Sequence, residues 1–267
     1  MGPRFLAPAR IGNGSVEMWI LNNRKVDAIV YTMGKVGSSS ISTSIKSAGL
    51  HCLDVHFLNE QRICNILQSY FEDPDVEIVP QHIIESLIAH NALVKQGRMK
   101  VVTLVRNPIM RNISAVFQNL PPRHNDDFDE ILKRLQKYGT KTPDNWFRRD
   151  FIPTTGIDIF SAKVDPTSDH FRFSSDKADV LMLKLEAPDD RKEELLRQFV
   201  GANVTLERAN EARNKGYYEV YKKITEDPNI VRSTFVQDCL KLKYFNKLYS
   251  RDDAALLRDR YLSSASP

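Results

Sequence analysis

A loop rich in glycine and serine, Gly34-Lys-Val-Gly-Ser-Ser-Ser40, stands between an apolar run and a helical pattern. The N-terminus of a helix presents unpaired backbone N–H groups and the positive end of the helix dipole. Gly37 allows close approach of the backbone to a ligand, and Lys35 adds a positive charge. Three successive residues then add hydroxyl donors: Ser38, Ser39 and Ser40. These residues predict a cradle for a phosphate or sulfate group.

The position of the lysine distinguishes this loop from that of a nucleotide triphosphatase. Such an enzyme reads G-x-x-x-x-G-K-[ST], with the lysine after the last glycine. Here Lys35 stands two residues before Gly37, and no apolar run ends in a clear metal-binding aspartate. The order favours an anion that is bound without magnesium. The alternative is that Ser38 or Ser39 only caps the helix and Gly37 only turns the chain.

A second segment with chemical potential is Arg106-Asn-Pro-Ile-Met-Arg-Asn-Ile-Ser114. Arg106 ends an apolar run that should lie beside the first one, and Ser114 follows about two helical turns later. A bidentate guanidinium with a hydroxyl nearby suits a phosphate monoester, and Arg111 lies on the same helix. The alternative is that Arg106 pairs with a carboxylate and Ser114 lies on the helix surface.

Apolar patterning predicts the elements that position these segments. Short, continuous, β-branched runs predict buried parallel strands at Asp27–Met33, Lys100–Arg106 and Val180–Glu186, with a shorter strand at Cys52–Phe57. Helical spacing predicts helices at Ser38–Ala48, Arg62–Phe71, Gln81–Val94, from Pro108 to Leu120, Asp126–Tyr138, Arg191–Val200, Glu211–Thr225, Asn229–Leu242 and Asp252–Leu262. Residues 139–178 are interpreted as irregular. Strands that alternate with helices predict an α/β fold with a central, mainly parallel sheet and a helical C-terminal layer.

The two motifs together resemble those of sulfotransferases that use 3′-phosphoadenosine 5′-phosphosulfate (PAPS). In that family a strand–loop–helix with Lys, Gly and Ser/Thr holds the 5′-phosphosulfate, and R-[DN]-P-x-x-R-x-x-S after a strand holds the 3′-phosphate. The segment from Arg106 to Ser114 matches every fixed position, and Lys35-Val-Gly-Ser-Ser39 is close to the carbohydrate sulfotransferase form. The resemblance implies a P-loop NTPase-like sulfotransferase fold, with PAPS as co-substrate and no metal. It implies cofactor contacts from Lys35, Gly37, Ser38, Ser39, Ser40, Arg106 and Ser114.

One family segment has only a partial counterpart. Cytosolic sulfotransferases carry R-K-G-x-x-G-D over the cofactor, whereas Arg213-Asn-Lys-Gly216 lacks the later Gly-Asp. A cofactor contact by Lys215 is therefore not assigned. Tyr217, Tyr218 and Tyr221 fall at mixed helical positions, which favours packing over adenine stacking.

More of the chain resembles bacterial putative capsular polysaccharide synthesis proteins. Four segments carry this resemblance: Trp146-Phe147, Gly156–Phe160, Leu181–Glu186 and Phe245–Ser250. It implies a role with a saccharide or glycolipid rather than a particular reaction.

A hydroxyl acceptor would benefit from a general base, for which histidine is the usual residue near neutral pH. His56 ends the predicted second strand, and ligands gather at the carboxyl ends of strands in open α/β sheets. His51 lies at the opposite end of that strand. His82 and Glu85 are the reserve candidates, and the alternative for His56 is an ordinary hydrogen bond in a loop.

Composition limits the remaining possibilities. The chain has 267 residues, 42% of them hydrophobic, and a net charge of +4, which indicates a globular protein and does not by itself imply nucleic acid. Three widely spaced cysteines predict reduced thiols and a cytoplasmic protein. Apolar runs are too short to span a bilayer. We expect a flexible arm over residues 1–14 and a single sulfotransferase-like domain over 15–267.

The leading hypothesis is transfer of a sulfuryl group from PAPS to a hydroxyl of a saccharide or glycolipid, with Lys35 and His56 as catalytic residues. A nucleotide-dependent kinase of the P-loop class is one alternative, and a non-catalytic protein of capsule assembly that binds nucleotide or polysaccharide is another. Arg148 and Arg149 could meet an anionic acceptor or form a solvated face.

Overall fold

The structure of the protein is a computed structural model that describes residues 25–72, 79, 81–118, 127–137, 140–207, 216–227, 230–231 and 233–262. One five-stranded sheet forms the centre: β1 (Ala28–Tyr31), β2 (Cys52–Val55), β3 (Met99–Val105), β4 (His170–Ser174) and β5 (Ala178–Lys184). The strand order is β2-β1-β3-β5-β4. The first four strands in this order are parallel to one another, and β4 is antiparallel to β5.

Helices flank this sheet, so the prediction of an α/β fold with a mainly parallel sheet is confirmed. The described helices are α1 (Ser38–Ser47), α2 (Glu60–Glu72), α3 (Gln81–Lys95), α4 (Pro108–Gln118), α5 (Phe128–Lys137), α6 (Thr142–Trp146), α7 (Ile152–Thr155), α8 (Asp189–Val200), α9 (Tyr218–Glu226), α10 (Ser233–Leu240), α11 (Lys243–Leu248) and α12 (Arg251–Leu262). A π-helical turn, Phe147–Phe151, joins α6 to α7. None of these described helices has both the length and the apolarity that crossing a membrane requires.

The irregular interpretation of residues 139–178 is wrong over two stretches. Residues 142–155 are continuously helical, and their aromatic side chains Trp146, Phe147 and Phe151 are buried. His170–Ser174 forms β4, an edge strand in which Phe171 is buried while Arg172 is exposed. The alternation of aromatic and polar residues in this strand is the period-two signal of a half-buried strand.

The helix predicted over Asn229–Leu242 corresponds to α10, and the next helix, α11, was not predicted. α10 ends at Leu240 and α11 begins at Lys243. The Asp144 carboxylate accepts hydrogen bonds from the backbone N–H groups of Lys243 and Tyr244, at 2.8 and 2.9 Å. This cap satisfies the first free donors of α11 and fixes where that helix starts. The predicted arm at 1–14 and residues 211–215 of another predicted helix lie outside the described residues.

The core sits around the two strands that precede the motifs. All four residues of β1 are fully buried, and Val101, Val102 and Leu104 of β3 are fully buried beside it. Burial of one such aliphatic side chain contributes about 1.5–3 kcal/mol, so the ends of these strands are held firmly. One large hydrophobic cluster includes residues from β1 to α12. The assignment of residues 15–267 to a single domain stays a prediction.

The strand order determines where the loops meet. The chain leaves β1 toward β2 on one side, and β3 lies on the other side of β1. In open α/β sheets ligands bind in the crevice at such a switch point, beyond the carboxyl ends of the strands. Here the crevice receives the loop after β1 and the turn after β3, so the fold brings together the two motifs identified in the sequence.

Candidate active site

The loop after β1 has an unusual backbone. Gly34, Lys35 and Gly37 have positive φ angles of 77°, 62° and 81°, and Lys35 is the one non-glycine residue with positive φ in the described residues. A side chain in this conformation costs about 1–2 kcal/mol, a cost that is typical of functional loops. The loop therefore holds Lys35 in a conformation that ordinary turn formation does not require.

Helix α1 begins directly after this loop without a side-chain cap. Its N-cap is Gly37, and no side chain accepts from the first turn. The alternative reading, in which Ser38 or Ser39 serves as the cap, is therefore wrong. Ser38 is buried, whereas Ser39 and Ser40 are half-buried. The backbone N–H groups at the start of α1 receive no side-chain cap, as the predicted cradle requires.

Arg106 and Ser114 form the predicted pair. Arg106 follows β3, and its Nη1 donates to Ser114 Oγ at 3.0 Å and to the Lys35 carbonyl at 3.3 Å. The Oη of Tyr221 lies 3.4 Å from Arg106 Nη2 and 3.2 Å from Ser114 Oγ. The alternative, in which Arg106 pairs with a carboxylate, finds no support among the described residues. The guanidinium instead joins the two motifs and a tyrosine of α9.

Tyr221 has two roles in this arrangement. Its ring packs edge-on against Phe117, with the centroids 5.4 Å apart, and Tyr217 packs on the same phenylalanine at 5.0 Å. The predicted packing role of Tyr217 and Tyr221 is confirmed. The hydroxyl contact with Arg106 and Ser114 was missed, because nothing in the local spacing of α9 connects it with a residue 107 positions away.

Arg111 binds backbone carbonyl groups of the loop after β1. It is buried, with 4% of its surface exposed, and Nη2 donates to the Met33 carbonyl at 3.1 Å. Its Nε donates to the Gly34 carbonyl at 3.4 Å. The two arginines of the second motif thus bind three consecutive carbonyl oxygens of the first motif, and they fix the loop relative to α4.

The C-terminal segment supports the turn that carries Arg106. Tyr244 Oη donates to the Arg106 carbonyl at 2.7 Å. Tyr249 Oη donates to one oxygen of Glu186 at 2.9 Å, and the other oxygen of Glu186 accepts from the Asn107 N–H at 2.6 Å. Sequence reasoning missed this support. The sequence did contain a signal for this support, because both tyrosines and Glu186 lie in or next to the segments that resemble the capsular family.

His56 lies beside the β1 loop, at the end of β2. Its Nδ1 is 3.1 Å from the Thr32 carbonyl, which can only accept, so Nδ1 carries the proton and Nε2 keeps a lone pair. A Cβ on Gly34 would lie 4.0 Å from Nε2. Trp146 Nε1 donates to the His56 carbonyl at 2.8 Å and fixes its backbone. The tautomer and position are those that a general base at this crevice needs.

A cavity of about 510 Å³ opens next to His56. Residues at the start of α2 form one wall, and Trp146, Arg149 and Asp150 form another. His82 and Glu85, the reserve candidates, lie on α3 and are not among the described residues that line this cavity. The geometry favours His56 over both.

Asp54 is a charged residue that sequence reasoning did not include in the site. It is the third residue of β2 and lies two positions before His56. Burial raises the pKa of its carboxyl, and hydrogen bonds from Ser38 and Ser42, together with the charge that His56 carries when it is protonated, oppose that rise. A lone aspartate in the otherwise apolar strand Cys52–Val55 was the signal that could have revealed it.

Some candidates cannot be placed or form no site. Lys215 lies outside the described residues. The three cysteines are free thiols, as predicted. The described residues contain no cluster of three or more side chains suited to hold a metal ion.

Comparison with known proteins gives one family match. Residues 124–250 match the model of a family named NKWYS and described as putative capsular polysaccharide synthesis protein. The last five matched residues, Asn246-Lys-Leu-Tyr-Ser250, differ from the letters of that name at one position. No curated protein and no solved structure gives a significant match. Over residues 124–250 the chain is therefore similar to capsular polysaccharide synthesis proteins, as the sequence indicated.

Proposed function

We propose that the protein transfers a sulfuryl group from PAPS to a hydroxyl of a saccharide or glycolipid. The observation that carries this proposal is the contact of Arg106 with both Ser114 and the Lys35 carbonyl. This contact joins the two segments that we propose bind anions, and a nucleotide with phosphate groups at both ends could bridge them. The match to a capsular polysaccharide family supports a saccharide acceptor.

Each end of the nucleotide has a set of binding groups. Gly37 and the hydroxyls of Ser38, Ser39 and Ser40 hold the 5′-phosphosulfate at the uncapped start of α1. Arg106 and Ser114 hold the 3′-phosphate, where the guanidinium offers charge-assisted hydrogen bonds. Their side chains are half-buried, which strengthens these bonds without closing the site to a ligand.

The reaction follows from these positions. The acceptor oxygen attacks sulfur in line, the new O–S bond forms, and the bond from sulfur to the 5′-phosphate oxygen breaks. The acceptor proton passes to Nε2 of His56, and Lys35 stabilises the negative charge on the departing phosphate. The products are a sulfate ester and 3′-phosphoadenosine 5′-phosphate. Positioning and charge stabilisation supply most of the catalysis, as in phosphoryl transfer.

Calorimetric titration with two nucleotides tests the binding motifs. Arg106→Ala should weaken binding of 3′-phosphoadenosine 5′-phosphate by about 10- to 100-fold, since hydrogen bonds to charged groups contribute roughly 1.5–3 kcal/mol. Affinity for adenosine 5′-phosphate should be unchanged. Ser114→Ala tests the same site without removing the contact with Lys35, and thermal unfolding shows whether each variant is folded. Equal weakening of both nucleotides would contradict the assignment.

Turnover tests the catalytic residues. His56→Ala should reduce sulfuryl transfer by about 100-fold, as expected for loss of a general base, and leave nucleotide affinity nearly unchanged. His51→Ala is the matched control, because His51 lies at the opposite end of β2. Lys35→Ala should abolish transfer. Wild-type rates in either the His56 or the Lys35 variant would remove that residue from the mechanism.

One observation favours the kinase as a second candidate. The Asp54 carboxylate accepts from hydroxyls of α1, and a hydroxyl with an aspartate is the pair that holds Mg²⁺ in P-loop enzymes. A kinase would therefore bind ATP only when magnesium is present. In the Asp54→Asn variant, ATP binding would no longer depend on magnesium. Sulfuryl transfer needs no magnesium, so the bisphosphate nucleotide should bind equally with or without it.

The titration and turnover experiments together distinguish an enzyme from a binding protein. Binding of the bisphosphate without turnover on a broad acceptor panel would indicate a non-catalytic protein of capsule assembly.

We place the reaction in the cytoplasm, where free thiols persist, and the three free cysteines support this location.

A further inference from the structure

The cavity beside His56 has the lining of a site for a polar ligand. Its volume of about 510 Å³ falls within the range of roughly 300–1,000 Å³ that is usual for small-molecule sites. Amides of Asn59, Asn65 and Asn145 line it and can both donate and accept hydrogen bonds. Such groups pair with hydroxyls, and the indole of Trp146 adds one apolar wall.

The charge of this cavity is unbalanced. Two arginines, Arg62 and Arg149, and one carboxylate, Asp150, line it. Arg62 forms an ion pair with Asp150. The Arg149 side chain is exposed and forms no hydrogen bond or ion pair within the described part of the chain, although its charge acts on the neighbouring Asp150 carboxylate. One positive charge is therefore left for a ligand.

The Asp150 carboxylate also has unused capacity. Asp150 is 1% exposed, one of its oxygens accepts from Arg62, and the other has no partner among the described atoms. A buried acceptor without a donor is costly, which favours a hydroxyl or a water at this wall. Because this oxygen is itself buried, the cavity offers a ligand the cation of Arg149 and the amides of its other wall rather than a carboxylate acceptor.

We propose that this cavity binds the acceptor as an acidic saccharide, with one hydroxyl at Nε2 of His56 and a carboxylate at Arg149. This inference rests on the proposed sulfuryl transfer and specifies its acceptor. The one guanidinium that has no carboxylate partner balances a group of charge −1, such as a carboxylate. The fork of two N–H donors also matches the geometry of a carboxylate.

The test compares two acceptors that differ only in charge. One is an unsulfated oligosaccharide that alternates hexuronic acid with N-acetylhexosamine, and the other is the same oligosaccharide after its carboxyl groups are reduced to alcohols. Calorimetry without nucleotide should show binding of the acidic form at least tenfold tighter. Arg149→Gln should remove this preference and leave binding of the reduced form unchanged. Equal affinity of wild-type protein for both forms would overturn the inference.

Arg148→Gln is the matched control. Arg148 is the neighbouring exposed arginine, but it stacks on Phe160 at 4.9 Å and lines a different cavity. It should keep the preference for the acidic form, and loss of the preference in both variants would indicate only general charge attraction. A sugar phosphate that binds more tightly than the uronic form would also overturn the carboxylate assignment.

The two proposals can fail separately. If the protein does not bind 3′-phosphoadenosine 5′-phosphate but prefers the acidic oligosaccharide through Arg149, sulfuryl transfer is wrong and the saccharide site stands. If the nucleotide binds and neutral acceptors are sulfated as readily as acidic ones, the transfer stands and this inference is wrong.

Discussion

The loss of stability caused by replacing Gly37 with alanine can be estimated from the structure. Its φ of +81° is a conformation that costs an alanine about 1–2 kcal/mol, partly offset by about 0.4–1 kcal/mol from the reduced freedom of the unfolded chain. A Cβ there would also lie 2.8 Å from Cδ1 of Leu185, whereas ordinary contact begins at 3.4 Å. Cδ1 is the end of a flexible, half-buried side chain, so relief of this overlap by a rotamer change adds roughly 0.5–1.5 kcal/mol. We expect Gly37→Ala to cost about 1–3 kcal/mol.

Gly49 provides the control at the other end of α1. Its φ is +85°, but nothing lies within 4 Å of a Cβ built on it. Gly49→Ala therefore measures the backbone cost alone, about 1 kcal/mol. At about 2–4 °C per kcal/mol, thermal unfolding should show a clear difference in Tm between the two variants.

A double variant separates the contact from the backbone. Leu185→Ala should recover about 1 kcal/mol of the Gly37→Ala cost, since the two side chains would no longer overlap. Calorimetry with 3′-phosphoadenosine 5′-phosphate should show weaker binding in Gly37→Ala and not in Gly49→Ala. If both glycine variants lose the same stability and both keep nucleotide affinity, the close packing of this loop against Leu185 is refuted.

Two further predictions concern buried titratable groups. Burial raises the pKa of Cys52 and of Cys239 to about 12, so iodoacetamide at pH 8 should label native protein on Cys64 alone; peptide mass mapping that finds a second label would contradict this. Burial also raises the pKa of Asp54, so its ionised form lowers stability as pH rises through the folded pKa. Asp54→Asn should therefore raise Tm at pH 8, with a gain that shrinks as the pH falls toward the ordinary carboxyl pKa of 3.8, and a gain that is independent of pH would oppose this reasoning.

Local pattern was enough for the elements that lie in the core. A strand that is buried on both faces of a parallel sheet needs a continuous apolar run. β1 and β3 both have such a run, and the structure places them side by side. The pairing of Arg106 with Ser114 also followed from local spacing, because eight positions along a helix-starting segment bring the two side chains together.

Contacts between distant segments could not be read in the same way. The hydroxyl of Tyr221 reaches Ser114 across 107 positions, and Tyr244 reaches Arg106 across 138. Nothing in the periodicity of their own helices indicates such partners. The edge strand His170–Ser174 was missed for a different reason, since a five-residue alternation within a stretch rich in turn-forming residues is a weak signal.

The family match and the anion-binding motifs describe different halves of one site. Lys35, His56, Arg106 and Ser114 all precede the matched residues 124–250. The matched part instead supplies the cavity wall around Trp146 and the tyrosines that hold the Arg106 turn. In the proposed reaction, the nucleotide would contact residues that precede the matched segment, and the acceptor would contact residues within it. The capsular similarity and the sulfotransferase proposal are therefore compatible, because each accounts for residues that the other leaves unexplained.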